Sequence, residues 1–411
     1  MMKEQTAASG RFFTAPVLTL MALGFVLGSC EYVVVAILPD IAGGLGASLA
    51  AAGKLVSVFA AGYAIGTPIL MAAAGRVPKY RLLMALLALF LGANAMSMLA
   101  PNLTVLYLSR ALAAVLTGTL TAVIFLFVRE VTPHELSARA VSLVYAGMSL
   151  ATVVGNPLNK LICRYLSWRA AFAMILAVGA VLLPVLARLL PHRITEAPEE
   201  SGSFFRQFAV LRDPRYSLCV LMTVCCYGAT YVVYTYLTPI LTDVAGVGET
   251  AVSPLLMAVG LCCMCSNLLA GWVGAHGGIR LTPLVLLGQT VLFAAMPALL
   301  GGRLTGLAAL LAMCLLMYAL STPVQLHALE LSEREHPYAA GLCATTLSVA
   351  GNIGIAAGSF ASSALQEPVG LRALGLPAAV FALAGLGLNL ALLRVCGFGR
   401  RVPRVSDHQK S

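Results

Sequence analysis

Charge is scarce in this sequence. Of 411 residues, 10% are charged and 60% are hydrophobic, and the mean hydropathy is +0.92. Soluble domains carry about 25% charged residues, so a water-soluble globule is excluded and part of the solvent must be lipid. Acids are scarcer than bases, 16 against 26, for a net charge of +10. In a soluble chain that excess would suggest a nucleic-acid partner. Here the bases sit in short loops beside apolar runs, with no basic stretch interleaved with aromatics, so they read as topology signals and no nucleic acid is expected. Enzyme signatures are missing: there is no Walker loop, no H-E-x-x-H, and no Ser or Cys nucleophile near a His. The eleven cysteines lie mostly inside apolar runs. Cys262 and Cys265 form a C-x-x-C within a helix, away from any His or acid, which points to packing rather than to metal or redox chemistry. No enzyme activity, cofactor or metal is expected. Without an ATP-binding loop, uphill transport would have to draw on an ion gradient.

What the sequence has is long apolar runs. A membrane-spanning helix needs about 20 apolar residues. Twelve runs qualify: 16–38, 51–74, 82–100, 104–127, 138–162, 169–190, 216–241, 251–274, 281–300, 305–327, 339–364 and 373–395. Lys3 and Arg11 ahead of the first run, with Leu27-Gly28-Ser29-Cys30 inside it, imitate a cleaved signal. The run continues to Leu38, and an uncleaved first helix is expected. The longest polar stretch falls in the middle. It divides the chain into 1–190, a cytoplasmic linker 191–214, and 215–411 with a short cytoplasmic tail. With both ends inside, nineteen Lys and Arg face the cytoplasm and six (Lys54, Lys160, Arg164, Arg169, Arg303, Arg372) face out. The positive-inside rule therefore predicts N-in, C-in. Trp168 and Trp272 fall at span ends, as interfacial aromatics do. The halves echo each other: Ile37-Leu38-Pro39 ends the first run and Leu237-Thr238-Pro239 the seventh, while Arg81-Leu82 opens the third and Arg280-Leu281 the ninth. The fold class expected is an all-α membrane protein with twelve helices in two pseudo-symmetric six-helix bundles. Such repeats place substrate sites near the midplane between them.

These segments resemble the major facilitator superfamily. Within it they are similar to the bacterial sugar, nucleoside and drug efflux proteins of the arabinose-efflux-permease type. The resemblance rests on Glu31 followed by Leu38-Pro39-Asp40-Ile41-Ala42, on Ser109-Arg110 with Thr117-Gly118, and on Gly155-Asn156-Pro157-Leu158 with Ser167-Trp168-Arg169. Tyr234 through Pro239 and Asn352-Ile353-Gly354 extend it over nearly the whole chain. The loop 74–81 departs from the family pattern, because it lacks the Asp of an Asp-Arg pair and keeps only a basic cluster that includes Arg76. The resemblance implies a multi-pass protein of the bacterial inner membrane that works as a monomer. It also implies proton-coupled efflux of a small organic solute by alternating access, with Arg110 tied to the coupling and Gly155, Pro157 and Arg76 to gating. An uncoupled facilitator or a proton-symport importer, and more remotely a non-transporting receptor, remain as alternatives.

Ionisable residues inside spans cost about 2.5–3.5 kcal/mol on insertion scales, so each is a functional candidate. Glu31 and Arg110 stand out. At about 1.5 Å per residue both fall in the outer half of the bilayer, close enough in depth for an ion pair across a cavity. Gly24 and Gly28 share the Glu31 face and would leave room around the carboxylate. Glu31 would bind a proton or the substrate as Arg110 and water exchange around it; the alternative is a fixed lock between helices. Helical spacing also gathers polar faces: Arg110, Thr117 and Thr121; Tyr227, Tyr231 and Tyr234; Tyr318, Ser321 and Gln325; Ser348 and Asn352. With Tyr63 these offer hydroxyls, amides and aromatic platforms for a neutral polar or amphipathic solute, or else interhelical hydrogen bonds. Gly354 on the eleventh run reads as a helix-packing position.

Overall fold

In lipid a backbone has no water to bond, so an apolar run satisfies itself as a helix. The computed structural model describes residues 14–74, 77–133, 136–192, 208–335 and 340–396, with only the backbone described at 138, 208–209 and 340–345. Among the described residues there is no strand. Twelve helical rods follow in chain order. The first half holds α1 (Ala15–Ala36, resumed as Leu38–Leu45), α2 (Leu49–Ala73), α3 (Lys79–Met98), α4 (Leu103–Val131), α5 (Ser137–Leu150 and Asn156–Tyr165) and α6 (Trp168–Leu189). The second holds α7 (Pro214–Tyr234 and Leu237–Pro239), α8 (Glu249–His276), α9 (Thr282–Leu299), α10 (Arg303–Leu316 and Ser321–Glu335), α11 (Ala340–Val369) and α12 (Gly375–Val395). Eleven of them are apolar and long enough to cross a membrane, and α11, with 30 residues, is long enough to be the twelfth. Several rods outrun the apolar runs that predict them, because polar residues cap and extend the ends. Ser48 accepts from the Ala51 amide at the start of α2, and Asn102 from Val105 at the start of α4. Most of the expected linker, residues 193–207, and Arg76 lie outside the described residues.

Among the described residues four rods are broken, and each break falls just before a proline. Proline has no N–H, so it frees the carbonyl four residues earlier. In α1 the break falls at Ile37, before Pro39, and in α7 at Thr235-Tyr236, before Pro239. In α5 a π-helical turn, Ala151–Gly155, precedes Pro157 and absorbs the extra residue. The fourth break, in α10, falls at 317–320 before Pro323, which has no N–H for the Ala319 carbonyl, and neighbouring helices satisfy other loose ends there. Ser266 of α8 accepts from the Tyr318 amide at 2.8 Å, and Gln289 of α9 donates to the Leu316 carbonyl at 2.9 Å.

The packing scheme repeats. In the first half α1 lies on α5 and α6, α2 on α4, and α3 on α6; in the second α7 lies on α11 and α12, α8 on α10, and α9 on α12. The two sets meet through α2 against α11 and α5 against α8. Glycine permits the closest approaches. A Cβ at Gly358 of α11 would stand 2.2 Å from the Gly228 carbonyl oxygen of α7, and one at Gly147 of α5 would stand 2.2 Å from that of Met21 in α1. Gly24 and Gly28 belong to the same α1–α5 seam: their faces meet the carbonyl oxygens of Val144 and Met148. They seat α5 and do not open room around Glu31. Trp168 likewise departs from an interfacial role, since it is buried beneath the α1 extension at Gly44, with Arg169 stacked on its ring at 4.3 Å. Trp272 is exposed, as an interfacial residue should be.

Candidate functional site

The break in α1 and the repeated packing bring four helices around one small cavity. Glu31, Tyr32 and Val35 of α1, Val56, Phe59 and Ala60 of α2, Tyr231 of α7, and Asn352 with Ile355 of α11 line it. Its free volume is about 10 Å³, room for about one water. In this conformation the site is collapsed around its own side chains. Aromatic hydroxyls crowd the second-half side. The Tyr32 and Tyr318 oxygens are 3.5 Å apart, Tyr227 meets Tyr318 edge-on at 6.3 Å between ring centres, and Tyr231 meets Tyr234 edge-on at 5.3 Å.

Arg110 is fully buried in the first half. Its Nη2 donates to the Cys30 carbonyl at 2.7 Å and its Nη1 to the Cys30 sulfur at 3.2 Å. The guanidinium also lies over the faces of Phe59 and Phe172, at 4.3 and 5.9 Å from the ring centres. Such cation–π contacts gain strength where water is excluded. The ion pair that the depths allow between Glu31 and Arg110 is therefore not formed; Arg110 grips the residue before Glu31 instead. The two charges still act on each other through space.

The other candidates separate by placement. Tyr231 and Asn352 line the cavity with Glu31, and Tyr234 backs Tyr231. The Tyr63 hydroxyl faces Thr121 and Ser348, outside the cavity wall. Thr117 and Thr121 give their hydroxyl protons to the Ala113 and Thr117 carbonyls of their own helix, at 2.7 and 2.8 Å. Gln325 is exposed and does not line the cavity. Gly155 and Pro157 flank the end of the π turn, with Gly155 against the Ser29 hydroxyl, and Gly354 packs on the Val224 carbonyl of α7. Sequence reasoning overlooked Phe59 and Ile355, whose apolar side chains look like any other core residue. It also overlooked Tyr32, which its position beside Glu31 could have flagged.

The outer end is closed by contacts between the halves. Thr238 of α7 is buried, and its hydroxyl donates to the Val35 carbonyl at 2.9 Å and lies 3.1 Å from that of Ala36. Val35 is the residue whose carbonyl Pro39 releases. Tyr236 donates to Ser363 of α11 at 3.1 Å and lies 3.4 Å from the Leu49 carbonyl of α2. Within the first half, Lys160 of α5 pairs with Asp40 of the α1 extension at 2.7 Å. At the inner end of the second half Arg215 is held by Asp213 and Glu335, fastening the start of α7 to the end of α10.

Comparison with known proteins agrees with this architecture. The family model described as Major Facilitator Superfamily matches residues 20–354. An uncharacterized MFS-type transporter, YtbD of Bacillus subtilis (strain 168), is 27% identical over 354 residues, covering 86% of this chain and 89% of that one. A probable sugar efflux transporter of Pasteurella multocida (strain Pm70) is 27% identical over 414 residues, covering 100% of this chain and 99% of the other. Among solved structures, a bacterial homolog of the human lysosomal transporter Spinster superposes with a TM-score of 0.74 at 15% identity, covering 96% of this chain and 100% of that one. That likeness concerns the fold.

Proposed function

The chain belongs to the Major Facilitator Superfamily, and on that premise we propose that it exports a small organic solute across the bacterial inner membrane in exchange for protons. The observation that carries this reading is the position of Glu31. It is the carboxylate on the wall of a cavity to which both halves contribute. When the cavity opens to one side, Glu31 meets water and equilibrates its proton with that compartment. When the halves rock and the cavity opens to the other side, the same carboxyl equilibrates there. A solute that competes with the proton for the site is thereby driven against its gradient. Alternating access of this kind is a population shift between two packings, and only differential binding to the two can drive it.

The rest of the wall suggests the solute. Tyr231 and the neighbouring tyrosines supply ring faces and hydroxyls, and Asn352 supplies an amide, whose Nδ2 here donates to the Ser348 carbonyl at 3.2 Å. These groups suit a neutral polar or amphipathic molecule such as a sugar, a nucleoside or an amphenicol-type drug.

The test has two stages. Thermal stabilisation of the purified protein by a panel of sugars, nucleosides and amphenicols selects a solute. Transport of that solute is then followed in proteoliposomes under an imposed pH gradient. Wild type accumulates solute and dissipates the gradient; Glu31→Gln inserts, binds solute and loses gradient-driven accumulation. Gradient-driven transport retained by Glu31→Gln would sink the coupling. Wild-type transport indifferent to collapse of the pH gradient would identify a facilitator.

A further inference from the structure

We infer that Cys30 and Asn94 are positioning residues that hold Arg110 away from Glu31, and so keep that carboxyl able to take up a proton. The inference rests on the reading of Glu31 as the coupling group. Its basis is the way a buried guanidinium is satisfied. Burying a cation is costly unless its donors find partners, and a guanidinium carries five of them in a fixed fork. Both side-chain partners that Arg110 finds come from Cys30, the carbonyl oxygen and the sulfur. Nε is buried with no hydrogen-bond partner.

The thiol accepts from Arg110 because its own proton is engaged elsewhere. Asn94 of α3 donates through Nδ2 to the Phe90 carbonyl at 2.9 Å, which turns its Oδ1 toward Cys30. The Cys30 thiol donates to that Oδ1 at 3.4 Å, and the sulfur lone pairs then face Arg110. One directed string therefore runs from α4 through α1 to α3. Arg110, Cys30 and Asn94 are all fully buried, so no water competes for these bonds. The string fixes the guanidinium on the backbone of the residue that precedes Glu31, with three of its five N–H donors, that of Nε among them, left over.

The groups facing Glu31 can be named helix by helix. Tyr32 lies beside it on α1, Tyr63 faces it from α2, Arg110 from α4, and Tyr227, Tyr231 and Tyr234 from α7. On α5 and α6, Lys160 and Arg169 are engaged at the outer end, Lys160 with Asp40 and Arg169 with the Ala100 carbonyl. Tyrosines are neutral in the neutral pH range, so Arg110 supplies the charge that acts on Glu31. A guanidinium that makes no ion pair with the carboxyl leaves it able to protonate. One that turned its free Nε onto the carboxylate would hold it ionised across the working pH range, because a cation within ~4–6 Å favours the charged form by about 1–3 pH units. The string forbids that turn in this conformation.

The experiment measures the pH profile of solute transport in proteoliposomes for Cys30→Ala, Cys30→Ser and Asn94→Ala, each also in the Glu31→Gln background. In Cys30→Ala the midpoint moves about 1–3 pH units to lower pH. Cys30→Ser, which keeps a donor and an acceptor, restores it. Asn94→Ala moves it in the same direction and leaves the α1 backbone untouched, so misfolding of one variant leaves the other to decide. Neither alanine variant changes the profile when Glu31 is already Gln. A lowered rate with an unmoved midpoint in the folded alanine variants overturns the inference. Coupling that survives Glu31→Gln overturns the reading beneath it, and the two failures are distinct.

Discussion

Replacing Thr238 with valine keeps the shape of the side chain and deletes one hydroxyl. That hydroxyl donates to the Val35 carbonyl at 2.9 Å, across the interface between the halves. Pro39 lies four residues after Val35 and has no N–H to offer it. A neutral hydrogen bond contributes about 0.5–1.5 kcal/mol net, whereas a buried acceptor left without a partner costs about 1–3 kcal/mol. The second figure applies here, because valine leaves the carbonyl stranded in a fully buried position. Once the halves part at this end the carbonyl meets water, and the substitution costs nothing there. The variant therefore shifts the equilibrium toward opening at the outer end by roughly 5- to 150-fold. Hydrogen–deuterium exchange read by mass spectrometry tests this without labels. Peptides covering 37–49 and 236–248 exchange faster in Thr238→Val, while peptides from α3 and α9 keep the wild-type rate. Unchanged exchange at both outer segments in a folded variant would refute the argument, and equal acceleration everywhere would show general destabilisation instead.

Two further outcomes follow from packing and charge. Gly358→Ala drives a methyl to 2.2 Å from the Gly228 carbonyl oxygen, so α7 and α11 must separate; overpacking of this kind costs about 1–3 kcal/mol. The expected result is a lower thermal midpoint in detergent, and a midpoint at or above wild type counts against the contact. Lys160→Met leaves Asp40 without its cation and lowers stability by about 1.5–3 kcal/mol, the scale of a charged hydrogen bond. Adding Asp40→Asn recovers part of that loss in a double-mutant cycle. A cycle with no coupling energy would mean that the pair contributes nothing.

The architecture was legible because its signals are local. Apolar runs mark the rods, and Pro39 and Pro239 mark equivalent breaks. Extension of α1 beyond Pro39 was not legible, since a proline can either break a helix or kink it. The Glu31–Arg110 relation shows where such reading stops. Residue counts along two rods give depth, but they do not give the direction in which a side chain points around its axis. At matching depth Arg110 turns to Cys30, and only packing against Phe59 and Phe172 decides that. Helical spacing had the same limit at Thr117 and Thr121, whose hydroxyls bond back to their own helix. At Gln325 spacing found a polar face but not its distance from the cavity. Asn94, central to the hydrogen-bond string, is with Ser97 one of two polar residues in the third run, and nothing in the spacing within that run ties it to Cys30.

The small volume enclosed by Glu31, Tyr231 and Asn352 has a kinetic meaning. A space of about 10 Å³ admits no solute, so every binding event waits for the walls to part. Observed association then rises with solute concentration only until it reaches the opening rate, and levels off there. Measured affinity is the intrinsic affinity scaled by the fraction of molecules that are open. A substitution that loosens the walls without touching the solute would thus tighten apparent binding, and a ligand that wedges them apart would act as an inhibitor by trapping the open form.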